Sequence, residues 1–269
     1  MQFQNRCDGL FRGAALTSLL LVFGGCGALS LEEELKLGDE GVSEIASTTR
    51  LIDDIDVVAY IDDLASSLLA ATPSTAHQIN IRLIDSETFS AFTIAGGNIY
   101  LTTGAILACR NVSELASILS HEIAHVSLGH ISDSYRRFRT SKMAASITGI
   151  TLAIATGNPF IIGAGDFAAN LGSSIFIGSH TRESEREADD LAFRVMQQAG
   201  YDPRSQLTLL GRIRASTLTL ETLPPFLLTH PVPEERMASV EERLRNLPSN
   251  PSLRINDKGK LEAIQKRLL

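Results

Sequence analysis

His121, Glu122 and His125, in the run His121-Glu122-Ile123-Ala124-His125, are the residues of this chain best spaced for joint chemistry. On a helix, four residues advance about 6 Å and slightly more than one turn, so both imidazoles lie on one face and can reach a single ion. Glu122, one position round, can face a water at that ion. Two neutral nitrogen donors beside a carboxylate that can take a proton make the working set of a metal hydrolase, and zinc is the ion such donors suit. The pentapeptide alone can also arise as a coincidental surface pair. Its neighbours Leu115, Ile118, Leu119 and Val126 argue against that. They put the helix in the interior, where two unpartnered histidines and a glutamate would be costly.

A catalytic zinc uses three protein ligands and keeps one position open. Metal proteases with a third histidine place Gly and then His at fixed offsets after the motif; here those offsets hold Leu128 and Ile131. His130 falls one position early and reads as a supporting group. The third ligand is then sought on the helix over 181–199, which offers Glu183, Glu185 and Glu187. Glu185 shares its face with Ala188 and Ala192, small enough for close helix packing, and with Asp189, which could accept the spare N–H of a ligand histidine. Arg182, Arg186 and Arg194 lie among these acids, and an ordinary solvated face would look the same. Spacing leaves that choice open.

The elements that must hold these residues can be read from caps and periodicity. Asn111-Val112-Ser113-Glu114 opens the motif helix, with Asn111 as cap and Glu114 placed to return the hydrogen bond. Thr181 to Ala199 is amphipathic and ends at Gly200. One helix is expected from Val42 to Ala70, and a strand from Gln78 to Ile84. Phe89–Ile94 and Ile99–Thr102 flank Gly96-Gly97-Asn98 as a hairpin. Further helices are expected at 203–215 and 234–246, with a small terminal one from Lys260 to Leu269. Met143–Gly178 is apolar but interrupted by Gly149, Gly157, Pro159, Gly163 and Gly165. It is too broken to span a membrane, and is expected to form two short helices, as a lid or a membrane-facing hairpin. The fold class is α+β: mainly helical, with a small antiparallel sheet and the metal site between two helices.

At 269 residues and 44% hydrophobic content, one large domain is expected. The net charge of −7 leaves no basic footprint for nucleic acid. Arg6 and Arg12, the apolar run Ala14–Phe23 and then Gly24-Gly25-Cys26 have the layout of an export signal. It is similar to a bacterial lipoprotein signal, although Phe23 stands where a smaller aliphatic residue is usual; ordinary cleavage after Ala28 is the alternative. The expectation is a signal over 1–25, lipid on Cys26, an acidic tether over 26–40, the catalytic domain over 41–247 and a tail with a short helix over 248–269. Gly27 supplies no charge for inner-membrane retention, so the expected place is a Gram-negative outer membrane, facing the periplasm. Cys109 is left without a disulfide partner.

Three segments resemble one family of zinc peptidases, which includes the HtpX heat-shock protease, the CaaX prenyl protease and the periplasmic proteins BepA and LoiP. They are Ser90–Gly97 with Ile99–Gly104, Glu114–His130, and Thr181–Asp189; His230-Pro231 through Arg236 is similar to a fourth motif. The resemblance covers roughly residues 40–245 and implies His121, His125 and Glu185 as zinc ligands, Glu122 as base and Asp189 behind the ligands. It implies that substrate lies extended along the strand holding Phe92 and Ile94, up to Gly96 and Gly97. Ser90 and Ala95 depart from the family's usual Asn and Pro, which weakens claims about substrate contacts. The chain looks like the short lipoprotein members, without the C-terminal helical repeats of some relatives. His230 would approach the metal from the C-terminal side, to stabilise an oxyanion or to plug the open position; a helix-capping loop histidine is the alternative. With the export signal, the resemblance implies unfolded or misassembled envelope proteins as substrates. A reading of another class is a chaperone or assembly factor whose site is structural, latent or self-blocked.

Overall fold

The computed structural model describes residues 29–74, 76–141, 180–217, 225–230, 234–247 and 252–269. The signal over 1–25, Cys26 and the Met143–Gly178 segment lie outside these residues.

The helix expected over Val42–Ala70 is two helices, α1 (Leu31–Thr48) and α2 (Ile55–Leu69). Consecutive β-branched residues at Thr48 and Thr49 weaken the first, and Thr49 turns extended. Asp54 then accepts hydrogen bonds from the backbone of Asp56 and Val57 and starts the second. Residues 31–40, expected as tether, belong to α1. A reciprocal cap between Ser30 and Glu33 begins it. Gly38 is buried against the Gly96-Gly97 turn, where an added Cβ would meet the Ala95 carbonyl at 2.6 Å.

The sheet holds β1 (Asn80–Ile84), β2 (Ala91–Ile94) and β3 (Asn98–Thr102) in the order β1-β3-β2. The hairpin is present: β2 runs antiparallel to β3 through a 3-10 turn in which Gly96 and Gly97 have φ 74° and 76°, a conformation open to glycine. β1, however, pairs parallel with β3, so the sheet is mixed rather than antiparallel. β3 is buried at every residue and takes the centre, whereas β1 has three half-buried residues and takes an edge. Alternation along β2 and β3 sorts their side chains into two layers. Ala91, Ile99 and Leu101 pack with α2 and the helices below, while Phe92, Ile94 and Tyr100 join Ile45 and Ile131 on the other face.

Thr103–Ala108 forms α3 and Val112–Ser127 forms α4, capped by Asn111 as expected. Every residue of α4 from Val112 to Val126 is buried. α5 (His130–Ser141) follows Gly129, which has φ 71°. α6 (Arg182–Gln198) is capped by Thr181 and packs along α4 more extensively than any other pair. α7 (Arg204–Thr217), α8 (Pro225–Thr229), α9 (Glu234–Arg245) and α10 (Lys260–Leu268) complete the described chain. The expected tail packs on the domain: Leu261 and Ile264 are buried, and Gln265 donates to the Ile106 and Cys109 carbonyls. No described helix is long and apolar enough to cross a membrane.

Candidate metal centre

α4 supplies three functional side chains within five residues. Its helical spacing brings His121 Nε2 and His125 Nε2 to 3.1 Å of each other, both rings buried. α6 crosses α4 on the small residues Ala188 and Ala192, which are fully buried, and so delivers Glu185 to the same point. Its Oε1 lies 3.3 Å from His125 Nε2 and its Oε2 3.4 Å from His121 Nε2. His230, at the end of α8, adds a fourth atom: its Nδ1 is 2.9 Å from Glu185 Oε1 and 3.3 Å from His121 Nε2. These four residues each present one donor atom, all within 4.8 Å of one another.

Two relays orient the imidazoles. Asp189, one turn beyond Glu185, places Oδ1 3.1 Å from His121 Nδ1 as its ion-pair partner. His130 Nδ1 is 3.0 Å from His125 Nδ1, and His130 Nε2 is 3.1 Å from the Glu187 carboxylate. With His130 donating to Glu187, His125 donates in turn from Nδ1, and its Nε2 lone pair is left facing the cluster. Both Nε2 atoms thus meet at one small buried volume beside a carboxylate, an arrangement that a cation, whether proton or metal ion, satisfies. The electrostatics agree. Burial resists a charge on His121, but Glu185 and Asp189 outweigh it and raise its pKa to about 9. Burial likewise opposes ionisation of Asp189 and Glu185, yet Arg236 and the histidines lower the Asp189 pKa to about 2 and hold Glu185 well below the carboxylate range. The donor set, two imidazoles and a carboxylate with a further histidine in reach, fits a metal ion of the zinc type.

Glu122 stands apart from the four donors but against them. Its Oε1 is 3.4 Å from His230 Nε2, and its Oε2 accepts from Thr93 Oγ1 at 2.8 Å. Thr93 reaches it because alternation along β2 turns it to the α4 side. The same alternation turns the Phe92 and Ile94 side chains into the opposite layer, where Phe92 stacks on Tyr100. Neither of these two side chains therefore reaches the site. Gly96 and Gly97 close the strand in their turn.

Of the three glutamates on α6, Glu185 alone enters the cluster. Glu183 pairs with Arg186 at the surface, and Glu187 is half exposed against His130. Sequence reasoning missed Thr93, which strand periodicity could have found. It also missed Gln206, which donates to Asp189 Oδ1 at 3.2 Å. His180 stacks on the His125 ring at 3.7 Å between centroids, and burial lowers its pKa well below the usual value. No local pattern marks it. Arg236 was read as the end of a motif, without a task.

Comparison with known proteins gives one family. The profile of peptidase family M48 matches residues 56–244, more than half of the chain. The chain is 28% identical over 232 residues to the Beta-barrel assembly-enhancing protease of Yersinia pestis, an alignment covering 85% of this chain and 47% of that protein. It is 24% identical over 219 residues to the Mitochondrial metalloendopeptidase OMA1 of Schizosaccharomyces pombe, covering 80% and 62% respectively. It is 22% identical over 167 residues to the Metalloprotease LoiP of Escherichia coli, covering 62% and 63%. The chain spans about half the length of the beta-barrel assembly-enhancing proteases it matches.

Proposed function

The chain belongs to peptidase family M48, and from that premise we propose that it is a zinc-dependent endopeptidase acting on unfolded or misassembled envelope proteins. The observation that carries the reading is the convergence of His121, His125 and Glu185, with Glu122 beside them. Zinc held by those three residues would polarise a peptide carbonyl and lower the pKa of a water towards about 7. Glu122 takes the proton from the attacking water and hands it to the leaving amine. The Thr93 hydroxyl occupies Oε2 of that carboxylate, so Oε1 is the oxygen turned to the cluster. β2 is an edge strand of the described sheet, and an extended client pairs along the strand of Phe92 and Ile94 towards Gly96 and Gly97, through the Ala91 and Thr93 backbone groups that the register turns away from β3. Unfolded clients supply such a segment. Metal content, with cleavage of an unfolded protein before and after chelation, tests the reading. Undiminished cleavage by the stripped chain would sink it.

The same proposal places the protein outside the cytoplasm, facing the periplasm and anchored to the outer membrane by lipid on Cys26. Support comes from the signal-like N-terminus and from the Yersinia relative, whose name ties that protein to beta-barrel assembly. Intact mass of the mature protein decides the anchor: a chain beginning at Leu29 without acyl mass refutes it.

A second reading, a client-holding protein with a self-blocked protease site, is favoured by the position of His230. Its Nδ1 lies among the donor atoms, where an open position would be. As a plug it competes with substrate, and His230→Ala should raise basal turnover about tenfold, the effect of one contact of roughly 1.4 kcal/mol. Lower turnover in that variant would assign His230 to transition-state stabilisation, and unchanged turnover and zinc affinity would leave it a structural role.

A further inference from the structure

Arg236, in the first turn of α9, is the buried charge at the centre to which the chemistry above gives no task. It is 4% exposed. Taking a guanidinium out of water is costly unless its charge and its N–H groups are matched. One fork here meets two carboxylates spaced four residues apart on α6. Nη1 is ion-paired with Glu185 Oε2 at 2.5 Å, while Nε and Nη2 donate to Asp189 Oδ2 and Oδ1 at 2.5 and 2.9 Å.

These carboxylates are the two through which α6 acts on the centre. Asp189 Oδ1 stands 3.1 Å from His121 Nδ1, and Glu185 itself presents a donor atom. The clamp makes the Glu185 oxygens unequal. Oε2 lies 2.5 Å from the guanidinium Nη1 and only 3.4 Å from His121 Nε2, while Oε1, clear of the guanidinium, faces His230 Nδ1 and His125 Nε2 at 2.9 and 3.3 Å. Resting on the zinc-peptidase reading, we propose that Arg236 is a positioning residue that makes Glu185 a one-oxygen donor and braces Asp189 so that it aims His121. A carboxylate free to ligate through both oxygens would take up the position that a catalytic metal keeps open for water and substrate. The two jobs require a planar fork. A lysine ammonium in its place would be a point charge, unable to hold both carboxylates in register.

Cobalt(II), whose visible absorption weakens as its coordination number rises, is the probe. The wild-type chain and Arg236→Lys are stripped of metal, checked for fold by thermal melting, and titrated with cobalt. The variant should bind about 10- to 100-fold more weakly, the range for an outer partner of a ligand, and each bound ion should absorb less. Equal affinity with an equal spectrum would overturn the proposal, and weaker binding with an unchanged spectrum would overturn its one-oxygen part. If Arg236→Lys does not fold, the double variant Arg236→Gln, Asp189→Asn removes one buried anion together with the cation and is read in the same way. Failure of the underlying reading looks different. A wild-type chain that takes up no cobalt refutes the metal centre itself, whereas a cobalt-binding wild type beside unaltered variants refutes only the role of Arg236.

Discussion

Glu122→Gln should keep the fold and the metal and lose about 10²- to 10⁴-fold in peptide cleavage, the usual contribution of a general base. The amide has the shape of the carboxylate, so the buried position is refilled and its carbonyl oxygen can still accept from Thr93 Oγ1. Glu122 is not among the four donor atoms, so occupancy should stay near the wild-type level. What disappears is the only function an amide cannot perform, taking a proton from water. Cleavage of an unfolded protein, zinc per chain and the melting temperature are read together on wild type and variant. Wild-type rates would remove Glu122 from the reaction and revive the reading in which the protein holds clients around a structural zinc.

Glu185→Ala should shed most of the metal, by more than the roughly 10- to 100-fold expected from losing an outer partner, because a direct donor is removed. The comparison within α6 makes the test specific. Glu183 stands two residues away with its side chain 60% exposed and paired to Arg186, so Glu183→Ala should leave zinc per chain unchanged. Glu187 reaches the centre only through His130 and His125, so Glu187→Ala should cost no more than about tenfold, the mild end of that range. Loss of metal in Glu187→Ala with retention in Glu185→Ala would mean that α6 presents another face to α4.

Local chemistry made α4 and α6 readable before any tertiary information. Asn111 and Thr181 cap them, Gly200 follows the end of α6, and the apolar spacing of each fixes one packed face. The hairpin at Gly96-Gly97 was legible for the same reason, since a tight turn needs residues that accept positive φ. Pairing between distant segments was not. The alternation of Ile79, Ile81 and Leu83 announces a strand but carries no information on its neighbour's direction, and the parallel partner β3 follows only after another strand has intervened. The break between α1 and α2 was signalled by Thr48, Thr49 and Asp54, yet outweighed by apolar periodicity on both sides. Arg236 shows a different limit. It closes the motif that begins at His230, among Glu234, Glu235, Glu241, Glu242 and Arg243, and nothing local shows that its partners are two carboxylates brought by α6.

If clients pair with β2 as proposed, the brevity of that strand would set how long each can stay. The strand has four residues before the chain turns at Gly96 and Gly97, and a guest on its outer edge would meet N–H and C=O groups at every second residue. Each such bond nets about 0.5–1.5 kcal/mol, so the ladder amounts to a few kcal/mol before the guest's ordering entropy is subtracted. Residence on the strand would be correspondingly short. Segments that refold or find their proper neighbours would leave before hydrolysis, whereas those that stay extended would return repeatedly and be cut. Discrimination between recoverable and failed clients can then be a competition of rates, folding against scission, and needs no recognition of a particular sequence.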